Sequence, residues 1–216
     1  MPARARAGLE RGDLLPRVLV PPPGPESRRL AERITGAEAP VVNTLYGGEP
    51  SIVWREAVGS NVLDVDGNLY LDLASGFGVA AVGHRHPRVV AAVAGQADRL
   101  VHGMGDVASH PARIELAERL TRLAPVLDAR VHFAVSGSDA VEVALKTAWL
   151  ATGRPGVLAF EPAYHGSTLG ALAVTSRDAF RRPFAAQLNP HVARLPFGAP
   201  AADVSAAYDA LLRLPR

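Results

Sequence analysis

The chain has 216 residues, 48% of them hydrophobic, and a formal net charge of +2 at pH 7. This length and apolar content suit one ordinary domain, or one domain with an arm. The absence of cysteine excludes disulfides, a cysteine-based zinc site and a thiol nucleophile. Arginines alternate with acidic residues instead of clustering, so no nucleic-acid partner is indicated. No apolar run approaches the roughly 18 residues of a membrane span, and we expect a soluble cytoplasmic protein.

Residues 1–42 predict an N-terminal arm or linker. The segment 21–25 contains four prolines and one glycine, a composition that excludes a helix or a central strand and favours an extended chain. A disordered leader is one interpretation of this segment. Residues 28–34 predict one short helix.

Residues 43–86 predict a small β-ribbon followed by a glycine-spaced loop. Asp66-Gly67 is a strong hairpin-turn signal between the alternating segments 62–65 and 69–73. The loop at residues 75–83 is not a dinucleotide fingerprint, because the glycine spacing fails after Gly78. His84 and His86 would diverge on a helix and have no third ligand near them in sequence, so we predict no metal site.

Two scaffold helices are predicted next. Pro87 begins the first, which runs to about His102 and carries an apolar stripe. Pro111 begins the second, with Ser109 or His110 as its cap. Their apolar positions are Val90, Val93, Ala97 and Val101 in the first, and Ile114, Ala117, Leu120 and Leu123 in the second.

A short apolar run, a turn of small residues and a helical pattern follow one another at residues 131–148. The run at 131–135 predicts a buried strand, and Val141, Leu145 and Ala148 recur at helical spacing. The turn between them, residues 136–138, has no bulky side chain. A helix that begins there offers free N–H groups, a positive dipole end and room for an anion, so the turn predicts a phosphate cup.

An alternative interpretation of this turn is purely structural. Ser136 and Asp139 have the S-x-x-D spacing of a capping box. After the helix, Gly153 predicts a C-cap and residues 157–160 predict a second strand. A right-handed crossover would make the two strands parallel neighbours, so that both following turns open at one sheet edge. Later segments predict a helix at 168–174, a surface excursion at 176–191, a strand at 192–195 and a helix at 204–214.

The sequence at residues 136–146, Ser-Gly-Ser-Asp-Ala-Val-Glu-Val-Ala-Leu-Lys, resembles the phosphate-binding segment of class III aminotransferases. Residues 164–170 are similar to that family's aromatic-His-Gly element, and a third match spans residues 64–87. The matches stand in the family's order and cover about residues 43–198. The resemblance implies an α/β fold in which residues 87–216 form part of the large PLP-binding domain of a fold type I aminotransferase, a mostly parallel sheet with flanking helices.

The resemblance also implies the cofactor, pyridoxal 5′-phosphate (PLP), and its contacts. Ser136, Gly137 and Ser138 would bind the phosphate. Tyr164 would stack on the cofactor ring, and His165 would lie near it as a positioning residue. In the family, a glutamate at the position of Glu142 belongs to the cofactor-side network; a role at the helix dipole is the alternative. The family's N-terminal segments often lie against a partner subunit, and its glycine loop lies near the substrate entrance.

The family's Schiff-base lysine and the carboxylate that binds the pyridine nitrogen both come after the last matched segment. Neither Asp203 nor Asp209 has the context of that carboxylate. Lys146 follows the cup by two turns and matches a family lysine that is not the Schiff-base residue. We therefore expect no catalytic residue in this chain, which resembles the N-terminal half of the enzyme and is expected to be inactive alone.

The implied activity is transfer of an amino group between an amino acid or amine and a 2-oxo acid, by a full-length homodimer. Three alternatives stay open. The chain could be a noncatalytic split or truncated subunit that needs a partner half, or part of a related aminomutase or racemase. It could also be a phosphate-binding module unrelated to PLP, which is disfavoured because the G-x-x-x-x-G-K-[S/T] motif is absent.

Overall fold

The computed structural model describes residues 8–38, 51–105 and 107–215. The chain divides into two compact units, Met1–Ser109 and His110–Arg216. None of the helices in the described ranges combines the length and apolarity that a bilayer crossing requires.

The first unit is built on a three-stranded antiparallel sheet in the order β1-β2-β3. Its elements are α1 (Pro25–Thr35), β1 (Trp54–Val58), β2 (Asn61–Asp64), β3 (Leu69–Leu71) and α2 (Pro87–Ala97). Leu63 pairs with Leu69 across the turn at Asp66 and Gly67. This confirms the predicted hairpin and β-ribbon, because the turn signal and the period-two alternation agree locally.

The hairpin turn also supplies the cap of α1. Gly24, at the N-cap position, has no side chain to offer. Asp66 replaces it: its carboxylate accepts the backbone N–H groups of Glu26 and Ser27, at 2.8 and 2.9 Å, and the Ser27 hydroxyl at 2.6 Å. Burial raises the pKa of Asp66, but these hydrogen bonds outweigh it and hold the pKa below its ordinary value.

Residues 8–20 run along the ribbon instead of forming a disordered leader. Arg17 and Leu69 exchange two backbone hydrogen bonds of 2.8 Å. The fully buried Asn61 and Asn68 accept the N–H groups of Leu14 and Leu19, at 2.8 and 2.7 Å. The disordered-leader interpretation is therefore wrong for residues 8–38, because two side chains that look like turn residues in the sequence provide acceptors for the arm.

Hydrogen bonds to Asp72 hold the glycine-spaced loop after β3. The Asp72 carboxylate accepts the N–H groups of Ala74 and Gly76, and it lies 2.7 Å from Nε2 of His84. The hydrogen bond with His84 outweighs burial and keeps the pKa of Asp72 below its ordinary value. Hydrogen bonds to the Asp72 carboxylate therefore hold both ends of this loop.

The second unit contains a two-stranded parallel sheet with helices around it. Its elements are α3 (Pro111–Leu123), α4 (Gly137–Thr152), β4 (Val157–Glu161), α5 (Leu169–Val174), α6 (Asp178–Arg181), a 3₁₀ helix (Arg182–Gln187), β5 (Val192–Pro196) and α7 (Ala201–Leu212). β4 and β5 pair in parallel from Val157 and Val192 onward. The predicted strands near 157 and 192, and the C-cap at Gly153, are confirmed.

The predicted strand at residues 131–135 is wrong in this structure. β4 pairs with β5, and the described residues provide no ladder partner for 131–135. Val135 is 96% exposed. An extended segment becomes a strand only when a neighbour takes up its backbone N–H and C=O groups. The predicted side-by-side arrangement of residues 131–135 and β4 is therefore not found.

The two scaffold helices begin at the predicted prolines, but their apolar stripes are not covered. α2 ends at Ala97, before the predicted His102. Val93 and Leu123 are 65% and 79% exposed. The helical period was predicted correctly. It does not predict the exposure of these faces, because periodicity reports which face is apolar and not what lies against it.

Gly12 provides a test of the packing between the arm and the ribbon. A Cβ atom at Gly12 would lie 2.4 Å from the Val58 carbonyl oxygen and 2.5 Å from the Cα of Gly59. We expect Gly12→Ala to lower the free energy of unfolding by about 1–3 kcal/mol, measured by urea unfolding with Trp54 fluorescence in a Trp149→Phe background. Gly95→Ala is the control, because a Cβ there meets nothing within 4 Å and alanine favours the helix by about 0.5–1 kcal/mol. Wild-type stability of Gly12→Ala would contradict the observed packing.

Candidate functional site

The beginning of α4 is capped as the sequence predicts. Ser136 has an extended backbone, and its hydroxyl accepts the Asp139 N–H at 3.1 Å. The Asp139 carboxylate accepts the N–H of Val135, at 3.1 Å, and not that of Ser136. The capping interpretation is thus half correct: the serine caps the helix, while the aspartate binds one residue further back.

The cap leaves donors free at the helix start. Within the described part of the chain, the backbone N–H groups of Gly137 and Ser138 have no hydrogen-bond partner. A Cβ on Gly137 would meet nothing within 4 Å. α4 is 16 residues long, so its dipole adds a positive partial charge at this end. An anion can therefore approach these two donors, and a helix cap and an anion cup coexist here.

The loop after β4 lies directly against this cup. The hydroxyls of Ser138 and Thr168 are 2.7 Å apart, and the Thr168 N–H donates to Ser138 Oγ at 3.2 Å. A Cβ on Gly166 would lie 2.3 Å from Ser138 Oγ, and Gly166 has a φ of +134°. The structure thus brings the two predicted turns together, and only glycine fits at the contact.

Tyr164 and His165 immediately precede Gly166 in the loop after β4. Tyr164 is 58% exposed, and its ring packs edge-on against Phe180 with centroids 6.3 Å apart. His165 is half-buried, and its backbone N–H donates to the Thr175 hydroxyl at 3.0 Å. The loop therefore presents an accessible aromatic ring and a histidine next to the anion cup.

Glu142 joins α4 to α5. Its carboxylate accepts the N–H groups of Gly170 and Ala171, at 2.6 and 3.2 Å, at the start of α5. Burial raises the pKa of Glu142, but hydrogen bonds from Thr168, Ala171 and Gly170, together with the charge of Lys146, outweigh it and lower the pKa. The two interpretations of Glu142 from the sequence, a place in the cofactor-side network and a role at the helix dipole, did not include this contact. Its partner, Gly170, lies 28 residues further along the chain.

Lys146 lies well away from the cup. It follows Gly137 by nine residues on the same helix, which corresponds to about 13 Å along the axis, and it is exposed. Its ammonium contributes to the low pKa of Glu142. The structure thus places Lys146 outside the group of residues that border the cup; its non-catalytic role stays a prediction.

Sequence reasoning missed three side chains that shape the site. Thr168 contacts Ser138, and Thr175 and Ser176 bind the backbone of the loop at residues 163–166. The only signal for the last two was a pair of small hydroxyl residues after the apolar run of α5, and such a pair is equally typical of an ordinary helix end.

Two cavities of the second unit lie away from the residues of the cup. A cavity of about 690 Å³ lies beside the C-terminal half of α4, where Trp149, Leu150 and Tyr208 line it. A second cavity, of about 470 Å³, adjoins His165. Ser136, Gly137 and Ser138 line neither of them.

Comparison with known proteins defines the class. The sequence model of a family described as aminotransferase class-III matches residues 46–212. The chain therefore belongs to the class III aminotransferase family, as the three sequence matches predicted.

Characterised relatives include both aminotransferases and a racemase. The chain is 37% identical over 186 residues to an alanine/serine racemase of Pyrococcus horikoshii, covering 86% of this chain and 38% of the racemase. It is 42% identical over 152 residues to an acetylornithine aminotransferase of Mycobacterium leprae, covering 70% and 37%. The chain thus spans about two fifths of the length of these relatives.

Solved structures confirm the α/β fold of the family. A taurine:2-oxoglutarate aminotransferase from Bifidobacterium kashiwanohense, in complex with PLP and glutamate, superimposes with a TM-score of 0.68 and 27% identity, covering 86% of this chain and 43% of that one. An (S)-enantioselective omega-transaminase from Thermomicrobium roseum gives a TM-score of 0.67 at 28% identity, covering 79% and 40%. The fold is that of part of a fold type I transaminase.

The low pKa of Glu142 generates a pH-dependent prediction. Because folding lowers the pKa from its ordinary value of 4.5, the ionised carboxylate stabilises the fold above that pH, and this contribution is lost as the pH falls through the folded-state pKa. We expect Glu142→Gln to cost about 1 kcal/mol of unfolding free energy at neutral pH, and the deficit to shrink as the pH falls to about 4 and below.

Urea unfolding followed by Trp149 fluorescence, in a Trp54→Phe background, measures this deficit across the pH range. Glu115→Gln is the matched control, because Glu115 is an exposed glutamate of α3 in the same unit. A deficit for Glu142→Gln that is the same at neutral and acidic pH, or no larger than that of the control, would contradict the helix-joining role of the carboxylate.

Proposed function

We propose that this chain forms the phosphate-binding and ring-contacting side of a PLP site in an aminotransferase. The reaction would move an amino group between an amino acid or amine and a 2-oxo acid. The observation that carries the proposal is the contact between the anion cup at Ser138 and the loop at residues 164–168, in a chain of the class III aminotransferase family.

The residues present fit the phosphate of PLP. The free N–H groups of Gly137 and Ser138 and the dipole of α4 suit a dianionic group. The hydroxyl of Ser136 has a free rotor and a second lone pair, whereas the hydroxyl of Ser138 is already engaged with Thr168. Ser138 would therefore contribute mainly its N–H, and Ser136 its hydroxyl.

The loop after β4 fits the other end of the cofactor. Tyr164, with an exposed ring, would stack on the pyridine ring, and His165 would lie at its side. Glu142 would act indirectly: its carboxylate binds the N–H groups at the start of α5, and α5 in turn holds the loop. When bound, PLP supplies an electron sink for the carbon that bears the amino group. This chain's described residues would bind and orient it, and none of them is assigned a proton transfer.

Racemisation of an amino acid is a second candidate. The observation that favours it is the alignment with the alanine/serine racemase, which covers 86% of this chain. Both reactions need the same cofactor cup, so the binding experiment below applies to both. The length covered, about two fifths of the relatives, keeps open the alternative of a subunit that binds the cofactor together with a second polypeptide.

Cytoplasmic location and a homodimer of the full-length form are parts of the same proposal. Both rest on the resemblance to the class III aminotransferase family.

Substitution of Gly137 tests the phosphate cup. Proline is well tolerated at the first position of a helix, and the extended backbone of Ser136 suits a following proline. Gly137→Pro therefore removes one N–H donor without breaking α4. We expect it to weaken binding of pyridoxamine 5′-phosphate about tenfold or more, since hydrogen bonds to a charged group contribute about 1.5–3 kcal/mol. Pyridoxamine 5′-phosphate has no aldehyde and cannot bond covalently to Lys146.

Gly137→Ala is the control, because it keeps the N–H and its Cβ meets nothing within 4 Å; its affinity should stay within about twofold of wild type. Binding of pyridoxamine and its phosphate is followed by the intrinsic fluorescence of the ligand, and binding of ATP or NAD by isothermal titration calorimetry. Pyridoxamine without phosphate should bind at least about tenfold more weakly than the phosphorylated form. Equal affinity for the two forms, or tighter binding of ATP or NAD, would reject the PLP site in favour of a different binding module.

A further inference from the structure

Thr175 is fully buried at the end of α5 and binds the loop that carries Tyr164 and His165. Its hydroxyl accepts the His165 N–H at 3.0 Å and lies 3.0 Å from the carbonyl oxygens of both Gly166 and Ala171. A hydroxyl has one proton, so this proton is shared between the two carbonyls. One hydroxyl therefore makes hydrogen bonds both to the loop that carries His165 and to its own helix, α5.

Ser176 makes the same kind of contact on the other side of Tyr164. Its hydroxyl accepts the Ala163 N–H at 2.8 Å and donates to the Ala163 carbonyl at 2.9 Å. The N–H of Ser176 donates to the same carbonyl at 2.8 Å. The backbone before and after Tyr164 is thus fixed to one dipeptide, while the tyrosine ring stays exposed.

The two ends of α5 connect the cup to the loop. At its start, Gly170 and Ala171 donate to Glu142 of α4. At its end, Thr175 accepts from His165. Gly166 also lies against Ser138, so the loop contacts α4 directly as well as through α5. Loss of the Thr175 hydroxyl would remove the support at His165 and leave the contacts with α4 in place.

We propose that Thr175 is a positioning residue that sets the orientation in which Tyr164 and His165 meet the ring of the bound cofactor. This inference rests on the proposed PLP site. It assigns the two parts of the site to different supports: the N–H donors of the phosphate cup belong to α4, and the orientation of the ring contacts depends on the Thr175 hydroxyl.

Thr175→Val removes the hydroxyl and keeps the shape of the side chain. We expect it to weaken binding of pyridoxamine 5′-phosphate about tenfold, while the affinity for inorganic phosphate, which has no ring, stays within about twofold. Thr175→Ser retains the hydroxyl and should restore wild-type affinity for both ligands. Thr121→Val is the matched control, because the Thr121 hydroxyl donates only to its own helix, at Glu118.

Amide hydrogen exchange gives a readout that does not depend on any ligand. The exchange rate of the His165 amide should be at least about tenfold higher in Thr175→Val than in wild type. In Thr121→Val this rate should equal that of wild type. If the valine variant does not fold, the wild-type chain decides: its His165 amide should exchange far more slowly than that of Tyr164, for which the described residues provide no acceptor.

The outcomes separate the two claims. Wild-type exchange at His165 in Thr175→Val, or equal exchange of His165 and Tyr164 in wild type, would overturn the positioning role. An equal loss of affinity for both ligands would also overturn it, because it would mean a general loss of structure. If the wild-type chain binds inorganic phosphate as tightly as pyridoxamine 5′-phosphate, the ring contacts are rejected. If it binds neither ligand, the proposed function itself is rejected.

Discussion

The hydrogen bond between the hydroxyls of Ser138 and Thr168 is the contact on which the candidate site depends. It holds the start of α4, with its two free N–H groups, against a loop that carries an exposed tyrosine. The contact is possible because Gly166 has no side chain to collide with Ser138. Glu142 and Thr175 support it from the two ends of α5. An anion and an attached ring can thus be bound by two segments 30 residues apart in sequence.

Features determined by neighbouring residues were predictable from the sequence. The hairpin at Asp66 and Gly67, the cap at Ser136 and the C-cap at Gly153 depend on the turn chemistry of a few consecutive residues, and all three are present. The strands β4 and β5 were found because a short apolar run between turn signals is typical of a buried strand. The residues of the cup and the loop, together with residues 64–87, carry the resemblance to the family, and the structure brings the cup and the loop into contact.

Features determined by distant residues were not predictable. Residues 131–135 have the composition of a strand, yet strand formation requires a partner, which the described chain does not provide. The arm at residues 8–20 depends on acceptors of Asn61 and Asn68, about 47 residues away. Thr175 is indistinguishable in sequence from an ordinary helix end. Amphipathic periods located α2 and α3 correctly, but exposure of Val93 and Leu123 depends on what lies beside them.

The central claim is that the start of α4 and the loop after β4 bind one ligand together. The most direct test is an NMR titration of the ¹³C,¹⁵N-labelled chain with pyridoxamine 5′-phosphate. We expect the amide signals of Gly137 and Ser138 and the ring signals of Tyr164 to shift with the same dissociation constant, while inorganic phosphate shifts only the amides. Shifts confined to the cavity lined by Trp149 and Tyr208, with Gly137 and Ser138 unchanged, would contradict the account.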